Sequence, residues 1–301
     1  MEKPYKDITT LCFEKYGKKL YRLSLSLATT CPNRDGKIST GGCIFCSSGG
    51  SGDFAENSCN INEQIEKAKL RVNKKIKGDV GYIAYFQSYT TTYVEPQKLK
   101  DALFTAASRE DISAVSVATR PDCLGEEIIE ILKEVQKIKP LWVELGLQTS
   151  DANTAKLINR GYNLSVFNEA VNKLSAFANE IIAHIIIGLP NETEKELYAT
   201  IAHINSLPVT GVKLQLLHVL KNTALAKMDY TALSLEEYAY LLGSCIERLR
   251  EDITIHRITG DGPKKELIAP LWSGNKKAVL NYLTKYFKEN NINQGKNYLA
   301  F

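Results

Sequence analysis

Apolar positions along the chain fall into short, near-continuous runs, and between those runs they recur every three or four residues. The first run, LYRLSLSLAT at residues 20–29, alternates like a strand and leads into a polar, glycine-rich stretch at 29–54. INEQIEKAKLRVNKKIKG then places Ile61, Ile65, Ala68, Val72 and Ile76 on one helical face, with Gly78 as the stop. The same beat repeats five times. VGYIAYF precedes a helix from about Pro96, ISAVSVA precedes GEEIIEILKEVQKI, and LWVELGLQ precedes a helix reaching Asn159. IIAHIIIG is followed by TEKELYATIAHINSL, and GVKLQLLHV by LEEYAYLLGSCIERLRED. Six apolar strands, each with a helix behind it, imply a parallel sheet buried on both faces and joined by right-handed crossovers. TIHRITGDGP and NKKAVLNYLTKYFKEN add a seventh strand and a closing helix. Periodicity alone allows an open doubly wound sheet or a partial or full barrel, and in each the chemistry gathers at the carboxyl ends of the strands.

The polar oddities stand at those ends. A cysteine-bearing loop follows the first strand, QSYTTTY the second, TRPDC the third, QTS the fourth, GLPNE the fifth and HVLKNT the sixth, so the six loops form one rim.

Composition narrows the class. A chain of 301 residues with 44% apolar and 24% charged residues can bury a sizeable core. The first residues are polar and contain no apolar run of a secretory signal, and no stretch approaches the roughly 20 apolar residues of a membrane span. Seven cysteines, an odd number, fit a reducing compartment in which thiols serve metals or catalysis, so the expected address is the cytoplasm with no membrane partner. The net charge of +4 is mild. Two basic clusters stand out, Lys15, Lys18, Lys19 and Arg22 before the cysteines, and Lys67, Lys69, Arg71, Lys74, Lys75 and Lys77 on the first helix. Such runs can track phosphates, although a solvated helix face is the plainer reading of either alone.

Within the loop, Cys31, Cys43 and Cys46 are spaced by eleven residues and then two. Thiolates hold zinc or iron–sulfur clusters, and a two-residue gap lets both sulfurs turn to one centre. A zinc knuckle needs a fourth ligand, which Cys12 or Cys59 would have to supply, and neither belongs to a CxxC pair. A cubane with three cysteine ligands leaves one iron open, and an open site is a reactive one. Both readings follow from the residues.

The ordered motifs CIFC, TRPDC, WVELGLQTSDANTAKLINRGY and HIIIGLPNETEKE resemble the radical domain of the elongator catalytic subunit, within the radical S-adenosylmethionine enzymes. The likeness spans roughly residues 20 to 220, and YFQSYTTTY is similar to a small elongator-like bacterial and archaeal set that lacks the acetyltransferase domain. The resemblance implies a (β/α)6 partial TIM-type barrel of parallel strands over residues 1–220, with the cluster loop at 29–54, and a C-terminal strand and helix extension over 221–301. It implies a [4Fe-4S] cluster on Cys31, Cys43 and Cys46, S-adenosylmethionine as cofactor, and a flavodoxin- or ferredoxin-type electron donor. In such enzymes the reduced cluster cleaves the cofactor to a 5'-deoxyadenosyl radical that abstracts a substrate hydrogen.

Carried onto this chain, the resemblance puts Phe45 near the adenine and Gln87-Ser88 where many members carry Gly-Gly-Glu for the cofactor's amino group. Glu144 and Gln148, on one strand face by the period of two, would point to ribose or substrate. Arg160 would pair with the cofactor carboxylate, and Gly188 would allow close backbone approach to the adenine region. Each has a plainer rival: Glu144 in a structural ion pair with a barrel arginine such as Arg120, Arg160 on helix-end carbonyls, and Gly188 in a strand-ending turn. His184 suits a core histidine as well as a substrate contact, His218 and Lys221 sit at the sixth strand's end, and Cys123 is the remaining thiol that would face substrate. Three functions stay open: a radical enzyme acting on RNA, tRNA in particular; a radical enzyme acting on a small metabolite or protein; and a zinc-stabilised binding protein.

Overall fold

The computed structural model describes residues 3–47, 49–50, 60–74, 76, 78–260 and 262–299. Cys59, Lys75, Lys77 and part of the 29–54 loop lie outside the described residues. The strands are β1 (Lys19–Leu25), β2 (Val80–Phe86), β3 (Ile112–Thr119), β4 (Leu141–Gln148), β5 (Glu180–Ile187), β6 (Gly211–Leu216), β7 (Val219–Leu220), β8 (Thr254–Arg257) and β9 (Leu267–Ala269). Seven of them pair in parallel in the order β1-β2-β3-β4-β5-β6-β8, which makes β1 and β8 the edges. In a flat sheet, six spacings of about 4.8 Å would hold those edges roughly 29 Å apart. Arg22 Nη2 on β1 nevertheless lies 2.9 Å from His256 Nδ1 on β8, so the sheet curls into a partial barrel.

The outer face is covered by α2 (Ile61–Asn73), α3 (Pro96–Ala107), α4 (Glu126–Ile138), α6 (Leu164–Ser175), α7 (Glu194–Asn205), α8 (Leu235–Arg248) and α9 (Lys276–Glu289), with one contiguous apolar core between helices and strands, while the short α5 (Ala152–Leu157) adds no residue to that core. The expected strands and most helices fall where the periodicity puts them. The first helix ends at Asn73, so Ile76 lies past it, and the helix expected to reach Asn159 ends at Leu157. Two helices were not read from the sequence. α6 buries Phe167, Ala170, Val171 and Leu174 at helical spacing, a pattern that was legible. α1 (Ile8–Tyr16) buries only Leu11 and Cys12, too few for a periodic signal, and is capped by Asp7 accepting from the Thr10 amide. The small antiparallel pair of β7 and β9 is likewise additional.

The concave side is built in layers that follow the period of two along each strand. At the amino ends, Leu20, Ile83, Ala114, Trp142 and Ile182 pack with Leu11 and Cys12, so α1 plugs the bottom of the barrel. Trp142 is fully buried there; its Nε1 donates to the Tyr16 hydroxyl and its ring meets His256 edge to face at 5.6 Å. Two residues further along come Arg22, Tyr85, Ser116, Glu144, His184 and Lys213, a layer of polar and charged groups in which Arg22 and His184 are half-buried and the rest buried. Two further still, Ser24, Gln87, Ala118, Gly146, Ile186 and Gln215 line an open cavity. No described helix is long and apolar enough to cross a membrane.

Candidate functional site

The cavity, about 780 Å³, occupies the carboxyl ends of the strands, where the rim of polar loops was expected. One wall is the cysteine loop. Cys31, Cys43, Cys46 and Phe45 all line the cavity, and the Cys46 amide donates to the Cys43 carbonyl at 3.0 Å, closing the turn that brings the CxxC pair together. The loop is fastened at several points. Ile44 donates its amide to Ile158, Leu225 donates to the Ile44 carbonyl, and Asn159 Nδ2 donates to the Gly42 carbonyl at 2.8 Å. Arg34 donates to the Cys46 and Ser47 carbonyls and lies over the Tyr89 ring. Gly50, at φ 62°, brings its backbone so close to that ring that an added Cβ would stand 2.5 Å from it.

Burial pushes the Cys43 thiol up to about 12, and the neighbouring Cys46 and Cys31 push in the same direction while Arg120 and Asn33 oppose them. Three thiols near enough to repel as thiolates, on one cavity wall, suit a cationic centre that holds them deprotonated. The donor set therefore fits an iron–sulfur cluster with three cysteine ligands. Cys12 is buried at the opposite end of the strands and is no fourth ligand; Cys59 lies outside the described residues. Among the described residues, no three His, Cys, Asp or Glu side chains are gathered to chelate one ion.

The cavity floor is the charged layer. Glu144 is fully buried, ion-paired to Lys213 and 3.4 Å from Arg22 Nη2, and it accepts from Tyr85 Oη at 3.0 Å and His184 Nε2 at 2.8 Å. Burial alone would raise its carboxyl, but Lys213, Arg22 and His184 hold it well below the usual range. Burial, with Lys213 adding, lowers His184 to about 4, so it is a neutral imidazole donating to the carboxylate. Glu144 lines the cavity as expected, yet its oxygens are committed to this network, with Arg22 and Lys213 rather than Arg120 as partners.

Two other expectations are corrected by the geometry. Arg160, 2% exposed, donates from Nη1 to the Leu147 and Thr149 carbonyls and from Nε and Nη2 to the Tyr162 carbonyl. Arg160 lines the cavity, but its guanidinium is already bound to three backbone carbonyls and holds the exit of β4 together. Gly188, at φ 90°, accepts from the Tyr230 hydroxyl at 2.6 Å and packs against Leu233; it is absent from the cavity lining and serves as the strand-ending turn. Gln87 and Gln148 line the cavity, whereas Ser88 does not: it is buried, and its carbonyl accepts from the Thr29 hydroxyl. His218 lines the cavity; Lys221 is exposed outside it. Cys123 stays off the cavity, and burial, with Asp122 beside it, pushes its thiol up to about 12.

The cavity lining also carries Arg257, Lys264 and Lys276, none of which the motifs singled out. Asp261, between them in sequence, lies outside the described residues and leaves an excess of positive charge even when counted. Of the clusters that the sequence did single out, Arg22 reaches the charged floor, and the lysines described are elsewhere. Lys15 pairs with Glu180 at 2.5 Å and Lys18 with Asp79 at 3.5 Å, at the amino ends of the strands, and Lys69 pairs with Asp111 at 2.7 Å on the outer face. Lys213 was the missed residue with a visible signal, being a lysine in the middle of an apolar strand.

Comparison with known proteins bears on the family and the fold. The Radical SAM superfamily model matches residues 27–204, and the Radical SAM C-terminal domain model matches residues 209–289. The uncharacterized protein YtqA of Bacillus subtilis is 39% identical over 300 residues, covering 98% of this chain and 93% of its own. YhcC of Escherichia coli is 32% identical over 283 residues, covering 92% and 90%. Among solved structures, the archaeal Methanocaldococcus infernus Elp3 lacking its N-terminus superposes with a TM-score of 0.68 at 15% identity, over 92% of this chain and 64% of that one. At that identity the likeness is one of fold.

Proposed function

The chain belongs to the radical S-adenosylmethionine superfamily, and from that membership we propose that Cys31, Cys43 and Cys46 hold its [4Fe-4S] cluster and that the cavity works on an RNA substrate, tRNA in particular. The family's cluster and cofactor, when bound, supply reductive cleavage of a sulfonium and a 5'-deoxyadenosyl radical. This chain's own residues do the rest. The fastened loop fixes the three sulfurs on one wall, Phe45 offers an apolar face beside them, and Gln87 and Gln148 offer amide groups to the cofactor's polar ends. The Glu144 network closes the floor and, with the α1 plug beneath it, keeps water from entering through the narrow end.

The observation that carries the reading is the cavity itself: its lining holds three cysteines together with Arg257, Lys264 and Lys276. A positively charged lining suits a phosphate-bearing substrate. A small anionic metabolite satisfies the same lining, and salt separates the two, because release of several counterions makes nucleic-acid binding fall steeply with salt. Reduction would come from a flavodoxin- or ferredoxin-type donor.

The test of the cluster is iron and sulfide content with low-temperature EPR on protein reconstituted without oxygen, with and without S-adenosylmethionine. The expected result is about four irons per chain, a stoichiometry set by the cluster type, and a reduced signal that changes with the cofactor. Cys43→Ala should lose this iron and Cys59→Ala should keep it. One tightly held zinc and no cluster would end the enzymatic reading.

A further inference from the structure

Asn33 is completely buried, two residues beyond Cys31. Its Nδ2 donates to the Asn159 carbonyl at 2.5 Å and to Cys43 Sγ at 3.7 Å. The carbonyl contact fixes which end of the amide is nitrogen, because the flipped amide would set oxygen against oxygen. In this orientation Asn33 Oδ1 is buried with no hydrogen-bond partner among the described residues. It lies 2.8 Å from where a Cβ on Gly161 would stand, and Gly161, at φ 85°, leaves that room.

A buried acceptor left without a partner costs free energy, and natural cores seldom tolerate it without a compensating role. Here the arrangement that orphans the oxygen is the one that turns an N–H toward a cysteine sulfur. The carbonyl that fixes the amide belongs to Asn159, whose own side chain holds the Gly42 carbonyl next to Cys43. Amide, turn and cysteine loop are therefore one hydrogen-bonded unit, and the donor cannot swing away without breaking the Asn159 contact.

We propose that Asn33 is a positioning residue for the cluster, donating its side-chain N–H to the Cys43 sulfur and raising the cluster's reduction potential; this rests on Cys43 being a cluster ligand. One-electron reduction adds negative charge that the cysteine sulfurs share, and an N–H aimed at one of them stabilises the reduced state more than the oxidised state. The electron comes from the external donor and stays on the cluster, so the bond changes the equilibrium of that transfer without making or breaking a covalent bond.

The experiment is an EPR-monitored redox titration of reconstituted wild type and Asn33→Ala, with iron and sulfide measured on the same samples. The expected result is unchanged iron with a lower midpoint potential, by about 59 mV for each tenfold loss in the one-electron reduction equilibrium. Full iron with an unchanged potential overturns the proposal while leaving the cluster assignment standing. A wild type that holds no iron brings down the assignment itself. If Asn33→Ala loses its iron, the decision passes to pulsed EPR of reduced wild type carrying 15N in its asparagine side chains and no S-adenosylmethionine. A nitrogen coupling to the cluster supports the bond, and its absence overturns it.

Discussion

Arg160 is the side chain whose role changed most between sequence and structure. The residue type, a fork of donors, suits a carboxylate, but the same fork suits carbonyls, and only the positions of Leu147, Thr149 and Tyr162 decide between them. Arg160→Ala would leave two buried carbonyls and one part-buried carbonyl short of a donor, and its expected cost is about 3 kcal/mol in chemical denaturation, from unmade bonds worth roughly 1–3 kcal/mol each that partly relax. Where iron is retained, affinity for S-adenosylmethionine should change little; a large loss of affinity at full stability would restore the cofactor role. Glu192 carries a second expectation. Burial, with Asp151 and Glu196 nearby, pushes its carboxyl up to about 7, and Oε1 is buried with no hydrogen-bond partner among the described residues. A carboxyl raised from 4.5 favours the folded state while protonated, so its contribution is complete below about 4.5 and is lost as pH rises through about 7. Glu192→Gln should therefore flatten the fall in stability across that window, which a series of melting curves would detect. The cysteine triplet was legible because spacing and residue type suffice for it. The Glu144 network was only half legible: the period of two placed Glu144 inside, but its partners come from β1, β2, β5 and β6, and no local pattern reveals a contact between Arg22 and Glu144.

At the scale of elements, strands and helices were readable wherever a long apolar face repeats, as in α4, which buries Ile128, Ile129, Ile131, Leu132 and Val135. The exceptions are elements whose order comes from tertiary contact. β7 is two residues long and exists through its pairing with β9. α1 buries two residues on itself but closes a whole end of the barrel. The expected cost of Leu11→Ala is accordingly that of a core residue, about 2–5 kcal/mol, rather than that of a fringe helix. Denaturant unfolding would show it, and a cost near zero would mean that α1 lies loosely on the bottom of the sheet.

For the molecule as a whole, the parallel order and the rim were implied by the beat of strands and helices, while the direction of its charge was not. Sequence clusters of lysine drew attention to the amino ends and the outer face, where acidic partners meet several of them. The positive charge of the cavity lining includes Arg257, Lys264 and Lys276, which lie outside the basic clusters drawn from the sequence. If RNA is the substrate, log K for tRNA should fall linearly with log salt, and Lys264→Ala should make that slope shallower by about one. Lys18→Ala, at the far end of the strands, should leave it unchanged. Equal effects of the two variants would mean that binding is diffuse and owes nothing to the cavity.

Gln294 joins the two ends of this architecture. Its side-chain oxygen accepts from the Lys6 amide, its Nε2 donates to the Arg250 and Ile253 carbonyls, and its own amide donates to Pro4. One glutamine thus acts as a clasp between the segment before α1 and the segment after α9. Opening either side frees the other, so the amides of residues 8–16 and 292–297 should exchange with solvent as a single cooperative unit, although almost the whole chain separates them in sequence.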